Sequence, residues 1–150
     1  METPTTPIEK IYEAWTAVTD ARVEIQPGSD LDSGRAYVTS SDGAKRYTVT
    51  WRDKGKIYTS SDSATLWRRY PGYPVVAVLM VQQRLPFAEK MASLFSDINW
   101  TVLNKTHKRN YAAAVADVES QRGIDPAEAH KEASEALMAL NNLGITIKRK

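Results

Sequence analysis

The 150-residue sequence contains no cysteine. Disulfide bridges, thiolate metal sites and thiol nucleophiles are therefore excluded. A chain of this length buries about two thirds of its unfolded surface when it folds, so it needs neither a covalent bridge nor a metal ion for stability. We expect a single domain over residues 1–150, without metal or cofactor, that begins with a flexible segment over residues 1–6.

Long apolar runs and targeting signals are also missing. The longest apolar run, Val75–Val81, is far shorter than the roughly 20 residues of a membrane-spanning helix. The first residues, Met1-Glu2-Thr3-Pro4, lack the basic region and the apolar stretch of a secretory signal. We therefore expect a cytoplasmic protein without a membrane partner.

Recognised catalytic motifs are scarce. The two histidines, His107 and His130, form no metal-binding pair at helical spacing, and the sequence has no nucleophile elbow and no glycine-rich phosphate loop. The order of helix, β-meander and helix resembles the core of the Pro-Asp…(Asp/Glu)-x-Lys nucleases. However, segment 46–52 offers no acid and no lysine to hold their divalent ion. These absences favour a binding protein, with a small enzyme of unknown class as an alternative.

The net charge of +2 is small, but the charges are unevenly distributed. Residues 1–34 carry seven acidic and two basic side chains, whereas residues 35–70 carry eight basic and three acidic ones. This separation indicates that residues 35–70 build a basic surface. Such a surface attracts anionic partners.

The first half of the chain combines helical spacing with strand alternation. Apolar residues recur three or four positions apart over residues 7–19, and Thr6 with Glu9 forms a helix-capping pattern, so we predict a helix there. Alternation then predicts strands over residues 21–25, 35–40, 45–53 and 56–60. Turns at Asp42-Gly43 and Lys54-Gly55 join them into an antiparallel meander of three to four strands.

The second half, residues 61–150, is predicted to be mainly helical, with four to five helices. Segment 61–70 is expected to form a short helix. Segment 74–83 is either a buried helix or a buried strand, and we favour the helix. Further helices are predicted from Pro86, over residues 100–122, and from Asp125 to Gly144, with Leu94 in the core. Residues 145–147 alternate as a final edge strand, which makes the fold class α+β.

Segment 67–74 concentrates aromatic, basic and proline residues. We favour a hinge between the sheet and the helices, with Trp67 and Tyr70 in the core. The alternative is a rigid corner that binds a ligand.

Strand alternation separates two faces of the predicted sheet. One face is apolar and is expected to pack on the core through Ala36, Val38, Tyr47, Val49, Trp51 and Ile57. The opposite face is then basic and aromatic, and it holds no acid. We expect it to be exposed and to include Arg35, Tyr37, Arg46, Arg52, Lys56 and Tyr58.

This outer sheet face is the main candidate site, because cations neutralise phosphates and aromatic rings stack on unpaired bases. A second basic cluster, Lys105, Lys108 and Arg109, is expected on one side of the helix over residues 100–122. We predict a non-catalytic binding module for an anionic partner, nucleic acid first. The alternatives are an ordinary solvated sheet face, and an interaction domain that self-associates through the edge strand over residues 145–147.

Overall fold

The computed structural model describes residues 4–150 and confirms the α+β fold class. The N-terminal helix α1 (Glu9–Thr19) is followed by four strands, β1 (Val23–Ile25), β2 (Gly34–Thr39), β3 (Arg46–Arg52) and β4 (Ile57–Ser60). After a single π-helical turn (Ala64–Arg68), the chain forms α2 (Tyr73–Val81), α3 (Glu89–Ser93), α4 (Trp100–Thr106), α5 (Tyr111–Arg122), α6 (Pro126–Asn142) and β5 (Thr146–Ile147). None of the helices in this described range is both long and apolar enough to cross a membrane.

The five strands form one sheet in the order β1-β2-β3-β4-β5. Strands β1 to β4 are the predicted antiparallel meander, and β5 pairs with β4 in parallel. Ala36 lies opposite Val49, and both are buried, as are Val38 and Trp51. The predicted alternation of β2 and β3 is therefore confirmed.

The core lies between the sheet and the helices, with α1 packed directly against α2. Segment 74–83 is helical as far as Val81, as favoured from the sequence, and Gln82 and Gln83 lie beyond the helix end. Pro74 occupies the first turn, where its missing N–H costs no hydrogen bond. Residues Pro74 to Met80 are all buried, which explains the absence of a polar stripe on α2. A helix that is apolar all round is stable only when other elements cover every side of it.

The capping pattern predicted at the start of α1 is wrong. Ile8 occupies the cap position, and the Thr6 hydroxyl instead donates to the Pro71 carbonyl oxygen at 2.8 Å. Thr6 is buried, and the flexibility expected for residues 1–6 stays a prediction. Residues 1–3 lie outside the described part of the chain.

The helix predicted over residues 100–122 is interrupted. Lys108 and Arg109 adopt left-handed backbone conformations, with φ values of 53° and 68°, between α4 and α5. The Asn110 side chain then accepts a hydrogen bond from the Ala113 N–H at 3.1 Å and caps α5. An asparagine side chain that bonds to nearby backbone offers the chain an alternative to continued helix. The predicted helical stripe of Lys105, Lys108 and Arg109 is therefore wrong.

Two further expectations for the helical half are wrong. Segment 61–70 forms only the π-helical turn, and Trp67 on that turn is 67% exposed instead of lying in the core. The helix predicted from Pro86 begins only at Glu89 and ends at Ser93, which leaves Leu94 on the surface with 47% exposure. Around both Trp67 and Leu94, the helical spacing of apolar residues continues beyond the part of the chain that neighbouring elements cover, so both side chains stay exposed.

Candidate functional site

The outer sheet face carries four of the predicted side chains. Arg35 and Tyr37 on β2 and Arg46 and Arg52 on β3 share it, as the register of the two strands requires. The Arg46 guanidinium lies 3.6 Å from the centroid of the Tyr37 ring. Arg52 donates to the main-chain oxygen of Lys150 at 2.6 Å. Two of the three arginines on this face are therefore already engaged within the chain.

The predicted placement of Tyr58 on this face is wrong. Tyr58 pairs with Trp51, is fully buried and stacks on the Trp51 ring at 6.0 Å between centroids. Its hydroxyl accepts from Arg84 at 2.8 Å and donates to Gln82 at 2.7 Å. Ile57, expected inside, pairs with Arg52 and belongs to the outer side.

The turn before β4 gives the physical reason for this inversion. A turn at Lys54-Gly55 places Ile57 opposite Arg52, so the turn alone predicts the observed register. The hydrophobicity of Ile57 favours the inner face, whereas the register set by the turn predicts the outer face. Lys56 is exposed but lies in the turn, outside the strand.

The outer face also holds an acid, contrary to expectation. Glu24 on β1 pairs with Tyr37 and is exposed. The prediction of the two sheet faces does not include the strand over residues 21–25, and it therefore misses Glu24. With Glu24 present and Tyr58 absent, this face is less basic and has one aromatic ring fewer than predicted.

A second candidate lies on the opposite side of β3. A cleft of about 450 Å³, the polar cleft, opens between α1, the residues around the π-helical turn, and α4. Its charged lining residues come from distant parts of the sequence: Lys10, Glu13, Arg22, Lys45, Asp62, Lys105 and Arg109. Lys105 and Arg109, two of the predicted binding residues, thus contribute to one site, whereas exposed Lys108 is not among the lining residues.

A buried ion pair forms one wall of the polar cleft. Lys10 donates to the Glu13 carboxylate at 3.5 Å, and both residues are less than 9% exposed. Burial raises the pKa of Glu13, because desolvation disfavours the carboxylate more than Lys10 and Asn104 stabilise it. Burial lowers the pKa of Lys10, but Glu13, Tyr111 and Tyr70 outweigh that effect, so its pKa is raised.

The second acid of the polar cleft is occupied by local hydrogen bonds. Asp62 accepts from the Thr65 hydroxyl at 2.8 Å, from the Thr65 N–H at 3.1 Å and from the Ser60 hydroxyl. Gly72 closes the same corner, where an added Cβ would come within 2.1 Å of the Asp62 carboxylate. Asp62 therefore fixes the shape of the cleft wall.

The remaining cations of the polar cleft have no acidic partner within residues 4–150. The ion pairs in that range are Lys10–Glu13 and His107–Asp117. Arg22, Lys45, Lys105 and Arg109 take part in neither ion pair, and they surround one opening. Converging like charges at a cleft concentrate the electrostatic potential and attract anions.

Aromatic side chains supply neutral hydroxyl groups to the same cleft. Tyr47 on β3 and Tyr73 on α2 meet edge to face, with 6.2 Å between ring centroids. Burial raises the pKa of both tyrosines, so both hydroxyls stay protonated at neutral pH. A protonated hydroxyl can donate to an anion.

The polar cleft continues into a shallower depression of about 370 Å³, the Trp67 hollow. It is lined by Lys45, Arg46, Tyr47, Ser61, Ser63 and Trp67. Lys45, Tyr47 and Ser63 line both cavities. Trp67 is 67% exposed, and the Arg149 guanidinium lies 5.1 Å from the centroid of its ring.

The sequence pattern predicts only part of the polar cleft. It groups Lys105 and Arg109 in one basic cluster, but it indicates no proximity to Lys10, Arg22 or Lys45. One local feature of the sequence does indicate the cleft. Lys10 and Glu13 are oppositely charged residues at helical spacing within a buried stretch of α1. Among the described residues, no three His, Asp or Glu side chains are placed to hold a metal ion.

Comparison with known proteins identifies the family of this chain. No curated protein and no solved structure matches this chain. One family model, described as uncharacterised conserved protein UCP014422, matches residues 3–146. Because that match covers nearly the whole chain, the protein belongs to the family of uncharacterised conserved protein UCP014422.

Proposed function

We propose that this protein binds an anionic partner, and that the polar cleft is the primary binding site. The observation that carries the proposal is the convergence of Arg22, Lys45, Lys105 and Arg109 on one opening without acidic partners in the described chain. Three exposed cations and the half-buried Arg22 guanidinium around a concave site give an anion more contacts than a flat surface does.

Each group in the polar cleft has a part in this binding. Lys45, Lys105 and Arg109 are exposed at the rim and can follow the anion, whereas half-buried Arg22 is anchored by a hydrogen bond to the Thr39 carbonyl oxygen. The guanidinium groups suit phosphate oxygens, to which arginine donates two parallel hydrogen bonds. The hydroxyls of Tyr47 and Tyr73 add neutral donors.

The outer sheet face is the second site in this proposal. Arg35 is exposed there, and a groove of about 570 Å³ runs past Arg35, Tyr37 and Arg52. The face has fewer free cations than the polar cleft because Arg46 and Arg52 have partners within the chain. Nucleic-acid binding on this face, self-association through β5 and a cytoplasmic location stay predictions.

Charge reversal separates the two sites. Binding of inorganic tripolyphosphate would be measured by titration calorimetry at low salt, without divalent ions. We expect the double variant Lys105→Glu/Arg109→Glu to bind at least about tenfold more weakly than the wild type, a loss of about 1.4 kcal/mol. The matched variant Arg35→Glu/Arg52→Glu on the outer sheet face should retain nearly full affinity.

Two results of this titration would contradict the proposal. If the wild type does not bind tripolyphosphate, the proposed function is wrong. If only the sheet-face variant loses affinity, the anion binds on the sheet and the site assignment is wrong. All four substituted positions are exposed, so circular dichroism should show the same fold in both variants.

A further inference from the structure

The Trp67 hollow brings together features that the anion-binding proposal leaves unused. Trp67 is a large aromatic residue held on the surface, while Trp15, Trp51 and Trp100 are each at most 2% exposed. An exposed indole ring is available to stack on a planar group of a ligand. The π-helical turn that carries Trp67 is a rare element that often occurs at functional sites.

The local structure holds the Trp67 turn firmly. Asp62 anchors the start of the turn through Thr65, and Arg69 at its end is left-handed, with φ of 63°. The Gly72 N–H donates to the Thr65 hydroxyl at 3.0 Å and closes the corner. The ring is therefore exposed on a well-supported turn.

Arg46, which carries a second planar group, also lines the Trp67 hollow. The Arg46 guanidinium lies over the Tyr37 ring at 3.6 Å, which constrains its orientation. Aromatic rings such as indole and planar guanidinium groups are surfaces on which nucleic-acid bases stack in proteins. The hollow, at about 370 Å³, falls in the size range of small-ligand sites.

The Trp67 hollow lies beside the polar cleft, and this arrangement indicates the class of ligand. Lys45 and Ser63 line both cavities, so a group in the hollow is adjacent to a group in the polar cleft. We propose that the anionic ligand is a nucleotide, with its phosphates in the polar cleft and its base in the Trp67 hollow. This inference rests on the proposed function, because it assigns the phosphates to the same cations.

An acidic peptide fits these features less well. Carboxylates would satisfy the cations of the polar cleft, but acidic side chains carry no aromatic ring to stack on Trp67 or Arg46. A nucleotide combines a multiply charged phosphate with a planar base at short separation. The same chemistry occurs in a free nucleotide and at the phosphorylated end of a single strand.

The test compares two ligands with the same phosphate chain, adenosine triphosphate and inorganic tripolyphosphate, without divalent ions. We expect the nucleotide to bind about tenfold more tightly, in the range typical of one stacked base. The fluorescence of exposed Trp67 should be quenched by the nucleotide and not by tripolyphosphate. Trp67→Ala should abolish the difference between the ligands and leave tripolyphosphate binding unchanged, whereas Trp67→Phe should restore part of it.

Failure of this inference is distinguishable from failure of the proposed function. Equal affinity for the two ligands, or a preference that survives Trp67→Ala, overturns the nucleotide assignment while anion binding stands. Absence of binding for both ligands overturns both. A single-stranded oligonucleotide with a 5′-phosphate identifies the source: tighter binding than adenosine triphosphate assigns a strand end, and weaker binding assigns a free nucleotide.

Discussion

Glu119, which does not line the polar cleft, shows how burial perturbs the pKa of a single acidic residue. It lies on α5, is 7% exposed, and its Oε2 has no hydrogen-bond partner among residues 4–150. Burial raises the pKa of Glu119 above its ordinary value of 4.5, with a smaller opposing effect from His130. The ionised carboxylate is therefore less stable in the folded chain than in the unfolded chain.

This imbalance predicts the sign of a pH effect. Since the folded state holds the Glu119 proton more tightly, its contribution to stability is present below about pH 4.5 and is lost as pH rises through the folded-state pKa. Glu119→Gln should therefore raise the melting temperature at about pH 7 more than at about pH 4. Thermal unfolding at both pH values measures this, with exposed Glu135→Gln as the control. An equal shift at both pH values would contradict the assignment.

Tyr58 shows that a single residue can be assigned to the wrong face even when its strand is predicted correctly. The polar hydroxyl of Tyr58 favours an outward position. The turn at Lys54-Gly55 nevertheless sets the register of β4 against β3, which directs the ring toward the core. Arg84 and Gln82 then satisfy the buried hydroxyl. The local turn was the more reliable signal, since register fixes every side chain of a strand at once.

At the scale of elements, the break between α4 and α5 positions part of the polar cleft. Lys108 and Arg109 are left-handed, a conformation that costs a non-glycine residue roughly 1–2 kcal/mol. This turn places Arg109 at the rim, close to Lys105 on α4. A continuous helix over residues 100–122 would not produce this turn.

Glycine substitutions test this break with opposite signs. Lys108→Gly should raise the free energy of unfolding by about 0.5 kcal/mol, because glycine adopts the left-handed conformation without steric cost. Lys105→Gly, within α4, should lower it by up to about 1 kcal/mol. Urea unfolding of both variants provides the measurement. A loss of stability in Lys108→Gly similar to that of Lys105→Gly would indicate that the helix continues through this position.

For the whole molecule, Thr16 connects segments that are far apart in sequence. This fully buried residue on α1 donates to the Phe95 carbonyl oxygen at 2.6 Å and accepts from the Trp100 indole N–H at 2.8 Å. It thus links α1 to the segment after α3 and to the start of α4. The position of α4, and with it one side of the polar cleft, depends on this contact.

Removal of the hydroxyl tests this link. Thr16→Val keeps the shape of the side chain but leaves two buried polar groups without Thr16 as their partner, so we expect a loss of about 2 kcal/mol or more. Thr106→Val is the control, because exposed Thr106 donates within its own helix and should change stability by at most about 0.5 kcal/mol. Chemical denaturation compares the two. Similar small losses would show that Thr16 does not hold the helices together.

The sequence by itself determined the elements with strong local signals. Alternation fixed the faces of β2 and β3, turn residues fixed the meander, and Pro74 with a ten-residue apolar segment favoured the buried helix α2. These features depend on backbone geometry and burial within a few consecutive residues. The sequence could therefore also place Arg35, Tyr37, Arg46 and Arg52 on one face.

The polar cleft was decided only by tertiary structure. Lys10, Arg22, Lys45, Lys105 and Arg109 are separated by up to 99 positions, and no local period relates them. Their convergence depends on the packing of α1 against α4 and on the left-handed turn before Asn110. The same holds for Trp67, whose exposure follows from where the surrounding elements end. Local patterns specify which side of an element is apolar, but only the packed chain determines which distant polar groups meet.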